Sequence, residues 1–194
     1  MISAEDVEAF EREVRNGGVV VFPTDTVYGI GCDSGQPAAI NRLYELKGRQ
    51  PDKPSALMWF SVAAALDALV HVGPRTRSAV ERVLPGPVLA VVPGSGGGTL
   101  GVRVPLLKGP LEPLAAARAV VLQTSANRTG GPDPKRLSDV PEAILAGADL
   151  VLDGGELPGT PSSVVDLTDY EDGNWNLLRE GAVDQAALAE LLGG

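Results

Sequence analysis

The chain has 194 residues, 44% of them hydrophobic and 21% charged, with 24 glycines and 16 prolines, a globular composition rich in turns rather than a disordered one. Its 25 acidic residues outweigh 16 basic ones for a formal charge of -9, which opposes unspecific adhesion to a nucleic-acid backbone. One cysteine, Cys32, and one histidine, His71, exclude an internal disulfide, a thiolate metal cluster and a multi-histidine metal site.

No apolar run approaches the roughly 18–20 residues of a membrane span, and residues 1–18 are charged, without the apolar stretch of a signal peptide. The expectation is a cytoplasmic protein with no membrane contact. In chain order, residues 4–15 read as a helix, 19–22 as a strand, and 37–46 as a helix with Ile40, Leu43, Tyr44 and Lys47 at spacings of three and four. A strand over 57–60 precedes helices over 62–70 and 74–84, then strands over 88–92 and 102–104, a helix over 111–118 and a strand over 120–124. A helix over 139–146, strands over 150–152 and 163–167 and a helix over 184–192 complete the pattern, with Arg179 ending a further strand. This alternation predicts an α/β fold, a single domain over 1–194 with a mixed sheet flanked by helices. The run Gly94 to Gly98 reads as a flexible loop. Loops 125–138 and 153–162 are longer than a connection requires, and each follows a strand, where open α/β sheets keep their ligand crevice.

The phosphate-binding GxxxxGK[ST] loop, the GxGxxG turn, the GxSxG elbow and HExxH are all absent. What remains is a set of polar loops. PTDTVYGIG (23–31) offers hydroxyls and amides at a strand end, or is an ordinary turn. Lys47, Arg49 and Lys53 place three cations within seven residues, suited to one polyanion or to a helix C-terminus. Arg103 stands in a strand whose neighbours Val102 and Val104 point the other way, so it meets a ligand carboxylate or a protein one. Ser125 and Asn127 fall on the same side of an extended segment, and Ser162 opens a strand. Arg128, Lys135, Arg136 and Arg179 also lie in or beside loops, a placement that suits a small anion. Among the single residues, Cys32 and Trp59 read as core, His71 as a surface or capping histidine, and Trp175 as exposed on a hairpin turn.

Together and in this order, PTDTVYGIG, KGR with DKP, GVRVP, TSAN with TGGPDP, PSSVVD and LLREG resemble the YrdC/Sua5 family, the L-threonylcarbamoyladenylate synthases, over about residues 16–182. The resemblance implies a YrdC-like fold with a large, positively lined concave cavity, in the form without an additional C-terminal domain. It implies that L-threonine, bicarbonate and ATP give threonylcarbamoyl-AMP and pyrophosphate, for modification of adenosine 37 in tRNA. The partners implied are those substrates and the downstream tRNA threonylcarbamoyltransferase machinery, with weak tRNA or RNA binding left open.

Carried over by residue, Lys47, Arg49, Ser125 and Asn127 match the catalytic KxR and SxN tetrad. Arg49, Lys53, Thr99, Asn127, Lys135 and Arg179 match ATP contacts; Thr26, Met58, Arg103, Ser125 and Ser162 match contacts to L-threonine. Met58 and Lys135 depart from the family pattern, standing where some members have a histidine and a hydroxyl residue. No metal is expected on protein ligands; Mg²⁺ would arrive with ATP. In such a reaction a carbamate oxygen attacks the α-phosphate, which asks for positioning and charge stabilisation rather than a side-chain nucleophile. Two other readings compete: a YciO-type paralogue acting on another substrate, and a non-enzymatic RNA-binding or ribosome-maturation factor. The charge of -9 and the 4% aromatic content weigh against the latter.

Overall fold

In the computed structural model, which describes residues 1–48 and 55–193, the described strands join one mixed sheet. They are β1 (Val20–Pro23), β2 (Tyr28–Asp33), β3 (Ala56–Met58), β4 (Val88–Pro93), β5 (Thr99–Arg103), β6 (Val121–Ser125), β7 (Leu150–Val151), β8 (Ser163–Asp166) and β9 (Asn176–Arg179). The helices are α1 (Ala4–Arg15), α2 (Pro37–Lys47), α3 (Val62–Ala68), α4 (Pro74–Val83), α5 (Glu142–Gly147) and α6 (Gln185–Leu192). Across the sheet the order is β7-β1-β2-β6-β3-β5-β4-β8-β9. The pairs β1/β7, β3/β5 and β4/β8 are parallel and the others antiparallel.

Strand alternation gives the sheet two unlike faces. One row of paired residues, Cys32-Leu122-Leu57-Val102-Ala90-Val165-Leu177, crosses seven strands and is apolar throughout. That face is closed by α2 and α5 at one end, with Leu43 and Ile144, and by α3, α4 and α6 at the other, with Leu66, Val80 and Leu188. The next row, Gly31-Gln123-Ala56-Gly101-Val91-Asp166, faces the opposite way and mixes small and polar residues. Among the described residues, cover is seen over one end of this second face. There α1 and the 3₁₀ segment Gly109–Ala116 pack Phe10 and Leu114 onto Val20, Phe22, Met58 and Val121. Phe10 meets Phe22 and Phe60 edge to face, at centroid separations of 5.2 and 5.5 Å. The uncovered remainder is the cleft.

Helix α1 is set by a reciprocal cap: Ser3 Oγ accepts from Asp6 N–H at 3.1 Å while the Asp6 carboxylate accepts from Ser3 N–H at 2.8 Å. Several expectations change. β2 was missed because Gly29 and Gly31 weaken its strand pattern, yet their lack of side chains makes room for Phe22 and Gln123 above them. The helix expected over 111–118 is 3₁₀, interrupted by Pro113, and the one over 139–146 begins only at Glu142, after Pro141. The glycine run is a tight β4–β5 turn rather than a covering loop: Gly94 N–H donates to Gly98 O at 3.0 Å, with Gly97 and Gly98 at φ +88° and +72°. Trp175 is half-buried against the α3, α4 and α6 cluster instead of exposed. Trp59 and Cys32 are core residues as expected; burial, with Asp33 adding, pushes the Cys32 thiol up to about 12, which keeps it protonated and inert.

Candidate active site

A cleft of about 450 Å³ opens over the uncovered sheet face. Its floor is the row Gln123-Ala56-Gly101-Val91-Asp166 together with Leu89 and Val164 one step along. Small residues at the centre give it depth. A Cβ on Gly101 would stand 3.3 Å from both Ala56 Cα and Leu89 Cδ2, so a branched side chain there can only push into the cleft. Gly101→Val is expected to lower kcat/KM by more than about tenfold with the fold retained, read from steady-state kinetics beside circular dichroism. Unchanged kinetics would mean that the floor is not a binding surface.

At the sheet edge Val164 pairs with Arg179 while Val165 pairs with Leu177, leaving Leu178 as the extra residue of a β-bulge. Regular alternation would put Leu178 and Arg179 on opposite faces; the bulge turns both toward the cleft. Arg179 is held there by Ser162 O, which accepts from Nε at 3.2 Å and from a terminal nitrogen at 2.8 Å. On the far side, the turn after β1 is tied by Thr24 Oγ1, which donates to Val27 O at 2.7 Å and accepts from Thr26 N–H. This presents the Thr26 hydroxyl to the cleft.

Arg103, only 3% exposed, donates to Gly86 O, to Val88 O at 3.3 Å, to the Asp25 carboxylate, and more weakly to Thr26 Oγ1 at 3.4 Å. The strand arginine therefore already has a protein carboxylate. Burial pulls its pKa below the ordinary guanidinium value, and Asp25 opposes that shift. Lys47, at the end of α2 and 2% exposed, sends its ammonium to Ser125 O, Asn127 O at 2.8 Å and Asn127 Oδ1 at 3.2 Å. Ser125 Oγ donates to the same Oδ1 at 2.8 Å, and Asn127 Nδ2 donates to Gly131 O at 2.8 Å. These bonds pin the segment that leaves β6.

Loop 153–162 is latched by Tyr28. Its hydroxyl lies 3.0 Å from Asp153 Oδ1 and 2.8 Å from Gly155 O, and accepts from Gly154 N–H. The Gly155 N–H and the Tyr28 hydroxyl hold the Asp153 carboxyl below the usual range. Burial first, and then Asp153, push the Tyr28 phenol from 10.0 up to about 12. The depressed carboxyl stabilises the fold above its unfolded value and loses that contribution as pH falls through the folded one. The raised phenol stabilises below its ordinary value, and that contribution is gone above about 12. Hydrogen exchange at Gly154 and Gly155 should therefore show the strongest protection between roughly pH 5 and 10 once intrinsic rates are removed. Protection that stays flat outside that window would contradict the latch.

Of the residues carried over from the resemblance, Thr26, Thr99, Arg103, Ser125, Ser162 and Arg179 line this one cleft. Lys47 and Asn127 are buried behind it, holding Ser125 in place. Met58 is a correction: its 0% exposed side chain packs with Phe10, Phe22 and Val121, under the end of the sheet face that α1 covers. Lys135 is also displaced, half-exposed and paired with Glu156 at 3.2 Å outside the cleft lining. Arg49 and Lys53 lie outside the described residues. Among the described lining residues, Arg103 and Arg179 are balanced by Asp133 and Asp166, so the expected positive lining is not carried by them. No group of three or more metal-ligating side chains occurs among the described residues. Sequence reasoning missed the roles of Asp25, Gln123, Gly101, Tyr28 and Leu178. Asp25 sat within a noted motif, and Gln123 within a predicted strand, without a partner to give them meaning.

The Sua5/YciO/YrdC family, described as telomere recombination, matches residues 12–181. A threonylcarbamoyl-AMP synthase of Nitrosococcus oceani is 34% identical over 171 residues, covering 80% of this chain and 89% of that protein. Another, of Pyrococcus abyssi, is 30% identical over 93% of this chain. The chain spans about half of that relative's length, 55%. The crystal structure of P. abyssi Sua5 complexed with L-threonine superposes with a TM-score of 0.82 at 27% identity, covering all of this chain and 59% of that one. With nearly the whole chain matched and the fold shared, the protein belongs to the Sua5/YciO/YrdC family.

Proposed function

We propose that this chain is a threonylcarbamoyl-AMP synthase, a nucleotidyltransferase that joins L-threonine, bicarbonate and ATP for tRNA modification. The observation that carries the reading is the convergence of Thr26, Thr99, Arg103, Ser125, Ser162 and Arg179 on one cleft. These residues come from five stretches spread over more than 150 positions of the chain. The names borne by its relatives favour this activity over the YciO-type and RNA-binding alternatives.

Bicarbonate and the threonine amine give a carbamate with loss of water. A carbamate oxygen then forms a bond to the α-phosphorus as the bond to the β-phosphate oxygen breaks, and pyrophosphate leaves. No protein nucleophile is needed, which suits a cleft lined by hydroxyls, amides and guanidinium groups. Thr26, Arg103 and Ser162 take the amino acid; Thr99 and Arg179, with Arg49 and Lys53, take the nucleotide. Lys47 and Asn127 act with Ser125 at the junction. Mg²⁺ enters as part of the MgATP substrate, and the product passes to tRNA threonylcarbamoyltransferase machinery in the cytoplasm.

The experiment is pyrophosphate release from ATP and bicarbonate with L-threonine, L-serine, glycine or no amino acid. Release that depends on L-threonine is expected. ATP turnover indifferent to the amino acid would overturn the assignment.

A further inference from the structure

We propose that Asp25 is a positioning residue for the amino-acid substrate: it holds the Arg103 guanidinium in the single orientation that serves the cleft. The inference rests on the functional reading above and concerns a residue to which that reading gives no role.

The guanidinium has five N–H donors in a rigid plane. One terminal nitrogen is directed to Gly86 O and Val88 O, the other to Asp25 and Thr26 Oγ1, so its plane is fixed from two sides. Asp25 is itself held at both oxygens. Oδ1 accepts from Arg103, and Oδ2 accepts from Leu106 N–H at 2.8 Å, so the carboxylate cannot turn together with the arginine. This clamp ties the turn after β1 to the segment after β5. Its side chains are 3% and 8% exposed, which makes the pairing firm against solvent and salt. Asp25 is the only carboxylate paired with Arg103 among the described residues, and the Arg179 charge acts on the same guanidinium in the opposite sense. Removing the carboxylate leaves the guanidinium held firmly from one side only, by Gly86 O and Val88 O, and so less well fixed in the facing that lines the cleft.

The effect should be selective. Asp25 adjoins Thr26 and grips Arg103, both assigned to the amino acid, and none of its hydrogen bonds goes to Thr99 or Arg179. A defect confined to overall folding would not separate the two substrates.

The test measures KM for L-threonine at saturating ATP, and KM for ATP at saturating L-threonine, in wild type, Asp25→Asn and Leu106→Pro. Asparagine has one acceptor oxygen where the carboxylate uses two; proline removes the N–H that anchors Oδ2 at an exposed position. Asp25→Asn is expected to raise the threonine KM by about tenfold or more and the ATP KM by no more than about twofold. Leu106→Pro should move the threonine KM in the same direction by about threefold, and it decides the matter alone if Asp25→Asn does not fold. An unchanged threonine KM, or equal rises in both constants, overturns the inference while wild-type turnover keeps the functional reading intact. A wild type without threonine-dependent turnover overturns both.

Discussion

Arg103→Met is expected to lower folding stability by about 3–5 kcal/mol, because it strands the Asp25 carboxylate in a buried site without its cation. Removing one partner of a buried pair costs far more than the pair is worth as a whole. The carbonyls of Gly86 and Val88 lose a donor in the same stroke. For a chain of this size each ~1 kcal/mol moves the melting temperature by about 2–4 °C, so a fall of roughly 6–20 °C is expected. Adding Asp25→Asn to Arg103→Met should recover part of that fall, since the stranded charge is gone. Thermal unfolding of the single and double variants checks both statements. A single variant within about 2 °C of wild type would mean that the pair is not formed in solution.

Lys47→Met should reduce kcat by about a hundredfold. Among the described residues the ammonium donates to Ser125 O, Asn127 O and Asn127 Oδ1. Methionine fills similar volume but leaves those oxygens without the charge that gathers them, and a displacement of about 1 Å at a reacting group can cost that much rate. The sequence left Lys47 suited to a polyanion or to a helix C-terminus, and the structure shows its ammonium among the oxygens of Ser125 and Asn127. A lysine acting through Ser125 and Asn127 predicts that kcat falls more than the ATP KM rises, with partial recovery in Lys47→Arg. A variant whose ATP KM rises a hundredfold at unchanged kcat would place Lys47 in direct phosphate contact.

The sequence made the layers legible and the cleft only in outline. Apolar runs such as Val88 to Val92 announce strands because β-branched residues repeat. β2 stayed hidden because glycine suppresses local propensity while serving a tertiary purpose, the space for Phe22 and Gln123. Arg179 was noticed, but what aims it at the cleft is the bulge at Leu178, and pairing register has no local signature. Arg103 left two partners open, a ligand carboxylate or a protein one. The protein partner is Asp25, 78 residues away, a distance across which spacing says nothing. Met58 misled for the complementary reason. The family resemblance, from which Met58 already departs, placed it at the substrate, whereas α1 covers that end of the sheet face and gives it Phe10 and Phe22 as neighbours.

Transfer of ¹⁴C from labelled bicarbonate into an adenylate, followed by chromatography, tests most directly whether this cleft joins an amino acid to a nucleotide. Label is expected in a species containing AMP only when ATP and L-threonine are both present, in wild type and to a much smaller extent in Gly101→Val. An enzyme preparation that consumes ATP yet leaves the label in bicarbonate, or one in which Gly101→Val labels as fast as wild type, would contradict the account.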